Sequence, residues 1–92
     1  MHIIISLRIL SVNVLLRIFS TIYGDMKIFA ERLRELRTEK GLSMKQLAKA
    51  LNVTDAAISN WENDINEPKI TYLKVICLYF GVSADYLLGF ED

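Results

Sequence analysis

Two side chains in this 92-residue chain carry the chemistry of a base or a nucleophile near neutral pH, His2 and Cys77. An imidazole can move protons at physiological pH, and a thiolate can attack carbonyl carbon or bind a soft metal. Neither has the company that such chemistry needs. His2 is the only histidine and stands in an apolar stretch, where it reads as an incidental polar residue. Cys77 falls on the apolar face of a helical pattern, where a small buried hydrophobe is the better reading than a nucleophile. There is no metal-ligand spacing, nucleophile–base pair or phosphate-cradling glycine loop. No catalytic residue, metal or cofactor is therefore expected, and the chain reads as a non-enzyme. A single cysteine also excludes an intramolecular disulfide framework and fits a reducing, cytoplasmic setting.

The elements that must position any other chemistry are short. A length of 92 residues is one small domain, too small for a Rossmann-sized catalytic unit or a barrel. The formal net charge of +0 and 52% apolar content describe a folding chain, but they average over two compositions. Residues 1–25 hold fifteen apolar side chains and only three charges, Arg8, Arg17 and Asp25; residues 26–92 hold nine basic and ten acidic residues. The chain is read as an apolar extension, 1–25, and a domain, 26–92.

Three readings of the extension compete. His2, Ser6, Asn13, Arg17 and Ser20 fall roughly in one line at helical spacing, so an extra helix with a narrow polar stripe is possible, although the Ile and Val content also suits a strand. A membrane span is disfavoured, because Arg8 and Arg17 would each cost roughly 2.5–3.5 kcal/mol at the bilayer centre. An oligomerisation or partner-binding arm would cover the apolar surface that such a stripe leaves. The third reading, favoured for function, takes Met26 as the true start and 1–25 as a non-native start.

From Ile28 onward, stops and starts follow closely. Phe29, Leu33 and Leu36 share one helical face, and Gly41 supplies a left-handed stop. Ser43 and Gln46 form a capping box that opens a second helix burying Leu47, Ala48 and Leu51. Asn52 is the next stop; Thr54 caps a third helix, Asp55 to Asn63, with Asp55 favourable in its first turn. After an irregular loop closed by Pro68, a fourth helix, about Thr71 to Phe80, aligns Leu73, Ile76, Cys77 and Phe80. Gly81 ends it, and Ser83 caps a last short helix through Leu88 before Gly89. The expected fold is all-α, a bundle of five short helices.

Only Asn52 and Val53 separate the second helix from the cap of the third. Two helices crossing steeply after so short a turn need a small contact residue, Ala48, and apolar anchors, Leu47, Val53, Ile58 and Trp61. That is helix-turn-helix geometry, in which the second helix of the pair enters the DNA major groove. Residues 28–89 resemble the XRE/Cro-type helix-turn-helix domain of phage repressors and many bacterial regulators. The resemblance is carried by RLRELRTEKGLSMKQLAKALNVT, by AAISNWEN with Pro68 after it, and by GVSADYLLG.

The resemblance implies that Thr54 opens the recognition helix and that Asp55, Ala56, Ser59 and Asn60 face the groove. Asn60 can offer donor and acceptor to adenine, Ser59 can bond several base edges, and Ala56 can touch a thymine methyl. Asp55 would accept from a cytosine amine but repel phosphates. It also implies that Arg37 and Glu62 pair structurally, joining the first helix to the end of the third, with Trp61 in the core. Three departures reduce the expected phosphate contacts. Met44 stands where the family usually has a glutamine, Asp64 where it usually has glycine, and Ile65, Asn66 and Glu67 where basic residues are common. Lys45, Lys49 and Lys69 are the remaining candidate phosphate partners.

The expected function is a sequence-specific regulator of transcription, most naturally a repressor, binding double-stranded DNA as a homodimer on a palindromic operator. Tyr86, Leu87, Leu88 and Phe90 are a candidate dimer surface, although core packing by Tyr86 and Leu87 is the plainer reading. The alternative is an antitoxin- or antirepressor-like interaction module with weak DNA binding, its partner arm being residues 1–25.

Overall fold

A computed structural model describes residues 27–92, and every regular element among them is a helix. Helix α1 covers 27–39, α2 Met44–Leu51, α3 Asp55–Glu62, α4 Ile70–Phe80 and α5 Ala84–Leu88. The readings offered for residues 1–25, the extra helix, the partner arm and the non-native start, lie outside the described residues. Two boundaries move by one residue from expectation. Asn63 caps α3 instead of closing its last turn, and α4 starts at Ile70.

All five helices stop by the same device. The residue after the last turn takes a left-handed conformation, and the next N–H bonds back to a carbonyl five residues earlier. The bonds are Leu42 to Arg37 (3.1 Å), Val53 to Ala48 (2.9 Å), Ile65 to Asn60 (2.9 Å), Val82 to Cys77 (3.1 Å) and Phe90 to Asp85 (2.8 Å). Glycine serves as the left-handed residue three times, whereas Asn52 and Asp64 adopt φ of 58° with a side chain in place.

In three connections the stop runs straight into a start. Gly41-Leu42-Ser43, Asn52-Val53-Thr54 and Gly81-Val82-Ser83 each place a left-handed residue, an apolar pin and a hydroxyl cap in succession. The cap oxygens accept from the backbone N–H of Gln46 (3.0 Å), Ala57 (3.1 Å) and Tyr86 (3.0 Å). Gln46 returns the bond to the Ser43 N–H at 2.8 Å, completing the capping box. Leu42, Val53 and Val82 pack against the core, so each turn is fastened from inside as well as at both ends.

That core is one cluster drawn from all five helices: Phe29, Leu33, Leu47, Ala48, Leu51, Ile58, Trp61, Ile76 and Leu87. Ala48 is fully buried, as a close crossing of α2 and α3 requires. Trp61 is buried and lies 5.9 Å from the Tyr72 ring, so it belongs to the core. Leu87 is buried with it, and Phe90 stays exposed. Helix α1 is tied to the C-terminus by Arg32, whose guanidinium sits 4.3 Å over the Tyr86 ring and donates to the carbonyls of Tyr86 and Glu91.

Asp64 carries two penalties, a side chain in the left-handed region and a carboxylate at the negative end of α3. Glycine removes both and gives back part of the gain through the entropy of the unfolded chain. Asp64→Gly is expected to stabilise the domain by about 1 kcal/mol, raising the thermal midpoint by about 4–8 °C in a circular-dichroism melt.

Candidate nucleic-acid interface

Helix α3 buries one side, Ile58, Trp61 and Glu62, and turns the other outward. Glu62 is the buried acidic residue among those described, its side chain 0% exposed. A carboxylate so placed needs charged, hydrogen-bonding partners. Arg37 supplies them bidentately: its Nε donates to Oε2 at 2.6 Å and its Nη2 to Oε1 at 2.9 Å. Its third arm donates to the Leu42 carbonyl at 2.8 Å, fastening the α1–α2 turn. The hydrogen bond to Glu62 holds the Arg37 guanidinium above its ordinary value; burial opposes this, and the charge of Glu62 adds to it. Because that folded-state value is raised, the stability that Arg37's charge contributes is present at neutral pH and is lost as pH rises through the guanidinium's value in strong alkali.

Arg34, one turn earlier on α1, adds a looser contact to Glu62 Oε1 at 3.5 Å and donates to the Glu62 carbonyl at 3.0 Å. Its Nη2 also reaches Asn63 Oδ1 at 3.3 Å. Among the described residues no buried side-chain nitrogen or oxygen lacks a partner.

The outward side holds the residues that the resemblance assigned to the groove. Thr54, Asp55 and Ala56 are exposed, and Ser59 and Asn60 are half-buried. The Thr54 oxygen is engaged as the cap, accepting from Ala57. Ser59 accepts from Asn63 Nδ2 at its carbonyl (2.8 Å) and at Oγ (3.2 Å). Asn60 gives its carbonyl to the turn, and its side-chain amide makes no hydrogen bond within the described residues. A shallow groove runs between this face and the start of α4, lined by Thr54, Ala56 and Asn60 on one wall and by Asn66, Glu67 and Lys69 on the other.

Lys69 therefore shares a groove with Asn60, and with the carboxylate of Glu67. Lys45 and Lys49 are exposed on α2 and do not line it. Met44 packs partly against the core, an apolar role at the position where a phosphate donor was expected. Two contributors escaped the sequence reading, Arg34 and Asn63. The available signals were the spacing of Arg34 from Arg37, three residues on one helix face, and of Asn63 from Ser59, four residues on.

Other chemistry finds little purchase. Among the described residues no three of His, Cys, Asp and Glu gather as metal ligands. No helix there is long and apolar enough to cross a membrane. Cys77 is half-buried, and burial pushes its thiol up from the ordinary 9.0 against a smaller opposing backbone hydrogen bond.

Residues 33–87 match the helix-turn-helix family, and the chain belongs to that family in its XRE-type form. Over 64 residues it is 44% identical to the HTH-type transcriptional activator BcrR of Enterococcus faecalis, covering 70% of this chain and 31% of that protein. Over 62 residues it is 36% identical to the HTH-type transcriptional regulator ImmR of Bacillus subtilis, covering 67% and 49%. A further Bacillus subtilis relative, the uncharacterised regulator YobD, is 31% identical over 65 residues, covering 71% and 58%. The chain thus matches between about a third and three-fifths of the length of these relatives.

The two arginines at Glu62 differ in burial, Arg37 being 12% and Arg34 49% exposed. Arg37→Leu, which leaves the carboxylate buried with only the looser contact, is expected to cost about 3–5 kcal/mol in urea unfolding. Arg34→Leu is expected to cost less than about 1 kcal/mol. At pH 8 the raised Cys77 thiol should react with iodoacetamide more slowly in the native protein than in the urea-unfolded chain, as read by mass spectrometry.

Proposed function

We propose that this protein regulates transcription by reading an operator in the major groove with the outward face of α3, acting as a homodimer on a palindromic site. The observation that carries the reading is the two-sidedness of α3. Its inner side is locked to α1 through Glu62, while Ala56, Ser59 and Asn60 stand outward with a methyl and two polar groups of the kind that read base edges. Asn60 would address adenine, Ala56 a thymine methyl, and Thr54 and Asp55 the bases or phosphates at the helix start. Lys45, Lys49 and Lys69 would bind phosphates, and the near-neutral overall charge implies modest non-specific affinity. Two-fold symmetry would set two α3 helices about one DNA turn apart. Repression would follow from covering a promoter, in the cytoplasm where the DNA lies.

A second reading, an interaction module with reduced DNA binding, draws on two observations. Asp55, Asp64 and Glu67 lie at the ends of α3 and in the loop that follows it. The outer face of α4 also exposes Ile70 (84%) and Leu78 (73%), a surface suited to a protein partner.

The test is selection from a random duplex library at low salt with the 92-residue protein. An enriched sequence with two-fold symmetry is expected, lost in the double variant Ser59→Ala with Asn60→Ala. Lys69→Ala should weaken binding to all sequences about equally and reduce the salt slope by about 1. A folded protein that enriches no sequence overturns the regulator reading in favour of the interaction module.

A further inference from the structure

Ser59 and Asn63 stand one turn apart on α3, and their side chains are not independent. Asn63 Nδ2 lies 2.8 Å from the Ser59 carbonyl and 3.2 Å from Ser59 Oγ, while Asn63 Oδ1 accepts from Arg34 Nη2 at 3.3 Å. Chemistry leaves one orientation for this amide. A guanidinium can only donate and a backbone carbonyl can only accept, so turning the amide over would set N–H against N–H and oxygen against oxygen. The Asn63 NH2 group must face Ser59, and Arg34 holds it there from α1. Arg34 is itself anchored at its second contact, the Glu62 carbonyl at 3.0 Å.

The consequence falls on the Ser59 hydroxyl. A serine hydroxyl has one proton and two lone pairs, and in isolation it rotates to suit donors and acceptors alike. Here one lone pair is committed to Asn63, and accepting a bond strengthens the same O–H as a donor. Among the described residues that proton meets no acceptor, and Ser59 is half-buried on the outward side of the helix.

We propose that Asn63, held by Arg34, sets the Ser59 hydroxyl as a hydrogen-bond donor, so that Ser59 selects base edges that accept: purine N7, guanine O6 or thymine O4. Asn63 is then a positioning residue that shapes specificity without touching a base. The inference rests on the reading of α3 as the groove-facing helix and adds to it the sign of one contact. An edge dominated by an amine, cytosine N4 above all, is disfavoured opposite Ser59.

The test compares base preferences, which a merely structural role for Asn63 would not change in sign. The 92-residue protein and its Ser59→Ala, Asn63→Ala and Asn63→Asp variants are each put through duplex selection, with a circular-dichroism melt of each as the folding control. Ser59→Ala should erase about a tenfold preference at one position of the enriched site. Asn63→Ala should relax that same position, admitting cytosine, while the rest of the site is retained. In Asn63→Asp the Ser59 hydroxyl donates its hydrogen bond to the carboxylate, Ser59 presents only lone pairs to the groove, and the preference there should turn toward an amine-bearing base.

A site that responds to Ser59→Ala but keeps its preference in both Asn63 variants overturns the proposal and leaves the regulator reading standing. So does a site in which Ser59→Ala changes no position. If the unaltered, folded protein enriches nothing, the groove-facing reading fails, and this proposal falls with it.

Discussion

A carboxylate with no access to water orients this domain. The Glu62 side chain is fully buried, and Arg37 meets both of its oxygens there. Apolar burial attracts without direction, whereas a bidentate ion pair fixes distance and angle together. Helix α3 is eight residues long, too short to hold its shape alone, and Ile58 and Trp61 are its only buried apolar anchors. Those two contacts keep it in the fold but leave room for rotation about its axis. The guanidinium at its end removes that freedom, and the same arginine grips the Leu42 carbonyl, so α1, the first turn and α3 are aligned by one side chain.

The turns do the complementary work. A chain this small buries a limited apolar surface and cannot spare residues for loops. Three of its four connections are three or four residues long, and in each a run of three stops one helix, pins the chain to the core and starts the next. The exception is the stretch from Asn63 to Lys69, where an aspartate takes the left-handed position and the α4 cap, Lys69, makes no side-chain bond to its helix. This least economical connection borders the outward face of α3, and it supplies Asn66, Glu67 and Lys69 to the groove there.

Electrostatics set the character of that face. Nine basic and ten acidic residues follow Met26, and three of the basic ones, Arg32, Arg34 and Arg37, are engaged as structural donors within the domain. What remains outward is a short count of lysines offset by Asp55, Asp64 and Glu67. Such a surface would draw little affinity from phosphates alone, and its selectivity would depend on well-oriented uncharged groups. The bonded pair of Ser59 and Asn63 is an orientation device of that kind.

Much of the fold was legible in the sequence because its signals act over a few residues. A hydroxyl reaches the N–H three positions on, a left-handed residue closes a helix on the carbonyl five back, and apolar spacing marks the face to be buried. Ser43 with Gln46, Asn52, Thr54, Gly81 and Ser83 carry those signals, and each forms the cap or stop that its type suggests. The partnership of Arg37 with Glu62, 25 residues apart, had no such local mark; it came from family likeness alone. The contacts of Arg34 with Glu62 and Asn63 and the partly buried role of Met44 were not legible, and neither was the sharing of one groove by Asn60, Glu67 and Lys69. Those depend on how five helices cross. Crossing angles are set by the packing of all the apolar faces together, so a residue's neighbours across the core exist only once the whole domain has formed.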